Sequence, residues 1–192
     1  MKAKGQFDVH FHPHHVGAGV SEWKKEDEKL PDGVEPYYLR ANTGPHYLLG
    51  GVISRPFMTT KQTGGKFAIS SIETSSKYTK SIFSSPLVFE KVSHCFCVNE
   101  GTVELKLGDG SSELVIPGES AFVPAGVSFS LTFKTKLVNL WSFASGPGIE
   151  DVIERSGQPY DSIVIPHQAP EIDEKKVEEV LAKLKVIRSD SK

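Results

Sequence analysis

Two turn-rich stretches carry most of the information about architecture: Glu90-Lys-Val-Ser-His94-Cys-Phe-Cys-Val-Asn-Glu-Gly101 and Gly118-Glu-Ser-Ala-Phe-Val-Pro124-Ala-Gly126-Val-Ser-Phe129. In both, alternating side chains run into a Gly turn or a Pro-x-Gly corner. Gly and Pro favour tight corners because Gly tolerates positive φ and Pro fixes φ. The two stretches therefore predict β-hairpins of the kind that wrap a small-molecule cavity.

Short apolar runs recur between turn signals along most of the chain. They cover residues 37–40, 47–53, 67–73, 87–89, 94–98, 102–107, 112–116, 120–123, 128–133 and 137–143. Strands at such regular spacing predict an antiparallel sandwich or barrel.

Helical periodicity appears only near the end of the sequence. Residues 173–187 place Val177, Val180, Leu181 and Leu184 at i, i+3, i+4 and i+7, after Asp173 as a plausible N-cap. We expect this amphipathic helix to pack on its own barrel; the alternative is that it clasps a neighbouring subunit.

Length and composition limit the function classes. With 192 residues, we expect a single domain. It would consist of an N-terminal arm (1–36) packing on the barrel, the barrel itself (37–145) and a C-terminal helical extension (146–192). A net charge of −2 argues against nucleic acid as a partner. The sequence contains no apolar run of about 20 residues and no secretory leader, so we expect no membrane partner and a cytoplasmic address.

The two cysteines, Cys95 and Cys97, stand two apart on a predicted strand. Their side chains would point the same way, which makes a bond between them geometrically awkward. We expect both thiols to be reduced.

The turn residues resemble those of the cupins, whose first motif has His-x-His, a Glu and a turn Gly, and whose second has Gly, Pro-x-Gly and a His. With Gly101 as the first turn Gly, His94 stands where that family has Glu, and Val88 and Glu90 fall roughly at its two histidines. The second motif matches Gly118, Pro124 and Gly126, but Phe129 replaces its histidine. The resemblance implies an all-β cupin fold, a double-stranded β-helix or jelly-roll barrel, that has kept its turns and lost most metal ligands.

A closer resemblance is to the fungal flavonol 2,4-dioxygenases, or quercetinases, and specifically to their C-terminal cupin domain. It runs through Phe7-Asp-Val, Gly44-Pro-His-Tyr-Leu, Phe96-x-Val-x-Glu-Gly101, Gly118 to Phe129, and Ser145-Gly-x-Gly-Ile-Glu-Asp. In those enzymes the metal belongs to the N-terminal cupin, so the resemblance implies a metal-free barrel. The sequence begins at Met1 without such a preceding cupin, and we expect a stand-alone protein with another use. Small single cupins of fungal polyketide pathways suggest an aromatic or polyketide-like ligand in secondary metabolism.

Strand alternation predicts what lines the lumen. If Glu90 and His94 point inward, Phe96 and Val98 follow on the same face, and Phe129, Leu131 and Phe133 point inward from the second motif. The expected cavity is apolar, with one His and one Glu.

From this lumen we predict a metal-independent enzyme that isomerises or cyclises a hydrophobic small molecule by acid/base chemistry. His94 would shuttle the proton and Glu90 would fix its tautomer. The binding residues would be Phe96, Val98, Phe129, Leu131, Trp141, Tyr47 and Tyr78. We expect no cofactor, and a homodimer formed by strand exchange or edge pairing. Alternatively, His94 is a core histidine satisfied by a backbone partner, with Glu90 at the rim.

Two other function classes stay open. One is a metal-dependent cupin dioxygenase that uses His94, Glu90 and donors from the arm; the other is a non-catalytic ligand-binding or partner protein. In the arm, His10 and His12 share a strand face and His14 follows Pro13, a possible metal site. A solvated histidine strand explains the same pattern.

Overall fold

The computed structural model describes residues 29–79 and 81–189. Within them the chain forms strands β1 (Tyr47–Leu49), β2 (Val52–Met58), β3 (Ala68–Thr74), β4 (Leu87–Phe89), β5 (His94–Glu100), β6 (Val103–Leu107), β7 (Ser112–Val115), β8 (Ser120–Val123), β9 (Ser128–Phe133), β10 (Val138–Ala144), β11 (Gln158–Pro159) and β12 (Val186–Arg188). The helices are α1 (Ile149–Ser156) and α2 (Glu174–Leu184), with a 3₁₀ turn at Ile82–Ser84.

The strands form two sheets. One has the order β11-β1-β2-β3-β10-β5-β8, and the other has the order β12-β4-β9-β6-β7. Every strand pair within the described residues is antiparallel. The expected all-β jelly-roll architecture is confirmed.

The core lies between the sheets, where the inward-facing positions of strands such as β5 and β9 are apolar. Phe96 and Val98 of β5 are buried against Phe129 and Leu131 of β9, as the alternation predicts. Leu140 of β10 joins the same cluster. The inner faces are thus filled by large apolar side chains.

Two of the motif glycines adopt backbone conformations that favour glycine. Gly101 has φ of 79° in the turn from β5 to β6, and Gly126 has φ of 80° before β9. Gly101 is also crowded, since a Cβ there would lie 2.2 Å from the carbonyl oxygen of Leu137. The turn residues therefore have a structural reason that is independent of any ligand.

Some predicted strand boundaries are wrong. Residues 37–40 form no strand, and the predicted run 47–53 is interrupted by the turn at Gly50 and Gly51, which separates β1 from β2. In the C-terminal segment, β11 pairs with β1 and β12 pairs with β4, so the segment 146–192 contributes a short edge strand to each sheet.

The helices pack on the barrel. Asp173 caps α2 by accepting a hydrogen bond from Lys176 N at 3.1 Å, as predicted. Val177, Val180 and Leu181 are buried, and α2 contacts α1 and β12 of its own chain. The helix ends at Lys185 in the left-handed conformation, so residue 187 lies in β12 rather than in the helix.

None of the helices in the described residues is long and apolar enough to cross a membrane. Cys95 and Cys97 are both free thiols, half-buried on the outer side of β5.

Candidate functional site

His94 begins β5 and points between the sheets. Its side chain is only 1% exposed. Its ring centroid lies 4.5 Å from that of Phe89, 5.6 Å from that of Phe96 and 5.4 Å from that of Phe129. The predicted inward face of β5 and β9 is therefore present, with Val98 and Leu131 also buried in it. Contact of these side chains with a substrate stays a prediction.

Glu150 is the carboxylate that accompanies His94. It lies in the first turn of α1 and is 2% exposed. Its Oε1 accepts a hydrogen bond from Gly148 N at 2.8 Å. A Cβ built on Gly148 would lie 2.7 Å from His94 Nε2 and 2.9 Å from Glu150 Oε2, so both polar atoms border the same point.

Three buried polar atoms of these two side chains have no hydrogen-bond partner among the described residues: Nδ1 and Nε2 of His94 and Oε2 of Glu150. A buried polar group without a partner costs roughly 1–3 kcal/mol. Such groups in a native fold commonly mark a catalytic role or a bound water or ion.

Burial shifts the pKa values of His94 and Glu150 in opposite directions. It lowers the pKa of His94 to about 3 because the charged imidazolium loses its hydration. It raises the pKa of Glu150 to about 8, an effect that the nearby charges of Asp151 and Glu154 reinforce and hydrogen bonds to backbone N–H groups oppose. At neutral pH the site therefore holds a neutral base beside a protonated acid.

A pocket of about 300 Å³ has His94 among its lining residues, although the His94 ring itself is buried and points between the sheets. The pocket lies where β3 begins, β10 ends and β5 begins, since Ala144 pairs with both His94 and Ala68. Its apolar walls include Phe67, Phe122 and Phe143. This pocket is at the end of the large sheet, whereas the sequence predicted a pocket in the lumen walled by Phe96, Phe129 and Trp141.

The structure does not place Glu90 beside His94. Glu90 is exposed immediately after β4, while the preceding Phe89 is the side chain that points inward. The alternation that holds along β5 does not extend back through the turn at residues 90–93, so the predicted inward position of Glu90 is wrong.

The predicted inward orientation of Trp141 is also wrong. It is 43% exposed and lies on the outer face of the large sheet, where its ring meets Phe57 edge-on at 5.6 Å. Its neighbours Leu140 and Ser142 are the buried residues of β10. Trp141 therefore does not wall the lumen.

The two predicted tyrosines lie away from His94. Tyr47 is in β1 beside Glu154, with which it shares a hydrogen bond, and burial raises the pKa of its phenol. The Tyr78 hydroxyl donates to the carbonyl oxygen of Pro166, and its ring covers Gly51. Both tyrosines hold neighbouring chain segments in place, and neither borders the pocket beside His94.

The sequence did not single out Glu150 as a site residue, although it contains a signal. The resemblance to quercetinases includes Ser145-Gly-x-Gly-Ile-Glu-Asp, and that Glu is Glu150. A glutamate between Ile149 and Val152, at the start of a helix following the last large strand, could have been recognised as a buried acid.

The residues do not fit a metal ion of the usual cupin type. In residues 29–79 and 81–189, no three His, Cys, Asp or Glu side chains come together as a metal site. His94 and Glu150 supply two donors, whereas a catalytic metal generally needs at least three protein ligands. His10, His12 and His14 lie outside the described residues, so the predicted arm site stays a prediction.

Two curated relatives resemble the chain. Quercetin 2,3-dioxygenase of Bacillus subtilis is 29% identical over 143 residues, covering 74% of this chain and 41% of the relative. Quercetin 2,3-dioxygenase of Aspergillus japonicus is 28% identical over 137 residues, covering 69% and 39%. The chain thus spans about two fifths of the length of the curated relatives it matches, and its resemblance to quercetinases is confirmed.

Among solved structures, ectoine synthase from P. lautus matches 69% of this chain and 88% of its own, with 15% identity and a TM-score of 0.47. No protein-family model matches the sequence.

Proposed function

We propose that this chain, a cupin-superfamily protein resembling quercetin 2,3-dioxygenase, is an enzyme that isomerises or cyclises an aromatic or polyketide-type small molecule by metal-independent acid/base chemistry. The observation that carries the proposal is the pair formed by His94 and Glu150. Two buried titratable groups whose environments move their pKa values in opposite directions are typical of acid/base catalysis. Glu150 takes the partner role that the sequence analysis gave to Glu90.

The reaction starts from the protonation states at neutral pH, in which His94 is neutral and Glu150 is protonated. His94 removes a proton from a phenol or an acidic carbon of the substrate, and Glu150 gives its proton to the carbon or oxygen where the new bond leaves negative charge. The resulting imidazolium and carboxylate attract each other, which offsets the cost of forming either charge in the buried site. Transfer of the proton back from His94 to Glu150 restores the starting state without an oxidant or a reductant.

The pocket of about 300 Å³ suits a small apolar substrate, because its walls are mainly aromatic and aliphatic. Since the ring nitrogens of His94 and Oε2 of Glu150 are buried, the proposed reaction requires the segment around Gly148 to open so that the substrate reaches them. The names of the relatives suggest a quercetin-like aromatic compound as the substrate, and secondary metabolism is the setting that we propose for it. We also propose that the protein lies in the cytoplasm and forms a homodimer. The dimer is supported by the edge strand β8, whose Phe122 is 65% exposed.

The test uses 2′-hydroxychalcone, which closes to flavanone when its phenol oxygen adds to the enone and a proton moves to the α-carbon. Loss of chalcone absorbance is followed in protein dialysed against EDTA. Glu150→Gln should lower the rate roughly 100-fold, the usual size of a general acid/base contribution. Glu113→Gln changes an exposed glutamate of β7 that is not among the partners of Glu150, and should keep the native rate. Equal rates in the native protein and Glu150→Gln would remove the proposal.

A non-catalytic binding or partner protein is the second candidate. It is favoured by exposed aromatic side chains in or next to the large sheet: Phe122, Trp141 and Phe67, which immediately precedes β3. Saturable binding of 2′-hydroxychalcone, with no flavanone formed by the native protein, would support this candidate over the enzyme.

A further inference from the structure

A second pocket, of about 630 Å³, lies against the outer face of the large sheet. Phe57 of β2 and Trp141 of β10 form its floor, and Tyr37 and Glu35 of the preceding segment form a wall. Because Trp141 and His94 point to opposite sides of the sheet, this pocket is separate from the His94–Glu150 pair.

The aromatic floor is ordered by contacts with its neighbours. Trp141 and Phe57 meet edge to face, with ring centroids 5.6 Å apart. The guanidinium carbon of Arg55 lies 4.8 Å from the Phe57 ring centroid. The Tyr37 hydroxyl donates to the Phe57 carbonyl oxygen at 2.5 Å, which ties the wall to the floor. The 43% exposure of Trp141 leaves a large part of its indole open to a ligand.

Arg55 supplies the polar group of the pocket. Its Nε donates to the carbonyl oxygen of Thr43 at 2.6 Å, and its Nη2 donates to that of Arg40 at 2.8 Å. These two bonds fix the plane of the guanidinium and use two of its five N–H groups. The remaining N–H groups can donate to an acceptor atom brought by a ligand.

Glu73, which interacts with Arg55 across the sheet, moderates its charge, and Glu35 adds a second carboxylate to the lining of the pocket. The pocket is therefore not a general anion site. It offers a flat aromatic surface next to oriented hydrogen-bond donors, a combination that selects a ring with an acceptor at one end.

We infer that this outer pocket binds a planar aromatic molecule carrying a carboxylate or carbonyl group, with its ring against Trp141 and Phe57 and its acceptor on Arg55. The inference does not depend on the proposed enzyme activity, since none of these residues borders His94.

The test is calorimetric titration of the full chain with two naphthalene probes of the same ring size. Naphthalene-2-carboxylate should bind at a single site, and 2-naphthylmethylammonium should bind about tenfold more weakly or not at all. Trp141→Ala should weaken carboxylate binding about tenfold. Phe122→Ala removes another exposed aromatic side chain of the same sheet, outside this pocket, and should leave the affinity within about twofold.

Three outcomes would overturn the inference: no saturable binding of the carboxylate, equal affinity for the two probes, or equal weakening by the two substitutions. Because Trp141 is exposed, its substitution should leave the chain folded, and a circular dichroism spectrum of each variant verifies this. Weakening by Phe122→Ala alone would assign the probe to the pocket beside His94.

Discussion

Nε2 of His94 and Oε2 of Glu150 border the same side of Gly148, at 2.7 Å and 2.9 Å from the point where a side chain would begin. This arrangement exists only because residue 148 has no Cβ. The glycine thus brings a base from a strand and an acid from a helix to one place, although they are distant in the sequence.

We predict that Gly148→Ala destabilises the fold by about 1–3 kcal/mol, the usual cost of an extra carbon in a packed core. The new methyl would also lie 2.6 Å from Cβ of Ala144, which cannot move without its strand. Urea denaturation measures the change. Gly33→Ala is the matched control, because nothing lies within 4 Å of a Cβ there, and its free energy of unfolding should stay within about 0.5 kcal/mol of the native value. Equal effects of the two substitutions would contradict the crowding.

Glu150 should make the fold less stable as the pH rises. The folded chain keeps this proton up to a pKa of about 8, whereas the ordinary pKa of 4.5 applies after unfolding. Between these values the folded state binds more protons, so its stability falls with increasing pH, by at most about 1.4 kcal/mol per pH unit.

Glu150→Gln removes that dependence and keeps an oxygen that can accept from Gly148 N. We therefore expect the difference in free energy of unfolding between the native protein and Glu150→Gln to change steadily from pH 4.5 to pH 8 in urea titrations. A constant difference would show that the carboxyl group is not protonated at neutral pH.

His94 should have the opposite effect on the pH dependence of stability, at acidic pH. Its folded pKa is about 3 and its ordinary value is 6.5, so the unfolded state binds more protons in this window and stability rises with pH. His94→Leu should abolish this gain, and the difference from the native protein should shrink or reverse as the pH falls from 6.5 to 4.5. The substitution also removes two buried nitrogens that lack partners, so we expect it to cost no more than about 1 kcal/mol at pH 7. A loss of several kcal/mol at pH 7 would mean that the ring nitrogens are satisfied in solution.

The sequence predicted correctly those features that depend only on residues close to one another in the sequence. The inward order of His94, Phe96 and Val98 follows from alternation within one strand, and Gly101 and Gly126 mark turns because their backbone conformations favour glycine. The cap of α2 by Asp173 is local in the same sense.

The sequence predictions fail where the local hydrophobic pattern is compatible with two orientations of the strand. β10 is apolar on both faces, with Leu140 pointing in and Trp141 and Phe143 pointing out, so hydrophobicity alone does not reveal its orientation. Glu150 needs tertiary information, because it meets His94 only after α1 has folded back onto the barrel.

Two motif glycines should differ in how much they tolerate alanine. Gly101 and Gly126 both have φ near 80°, which costs an alanine roughly 1–2 kcal/mol. Only Gly101 also faces backbone, with the Leu137 carbonyl oxygen at 2.2 Å and Val138 Cα at 3.1 Å from a built Cβ. We expect Gly101→Ala to lower the free energy of unfolding by at least about 1 kcal/mol more than Gly126→Ala does. Similar losses in urea denaturation would show that the turn can move away from β10.

Chelation tests whether any metal supports the fold. The described residues bring no three ligands together, so no bound ion within them should add its binding energy to the stability of the folded state. We expect dialysis against EDTA to leave the thermal midpoint unchanged to within about 1 °C. A lower midpoint that recovers with Zn²⁺ or Ni²⁺ would contradict this expectation. The triple variant His10→Ala, His12→Ala, His14→Ala then shows whether the N-terminal histidines hold the ion, because without them the midpoint should no longer respond to chelator.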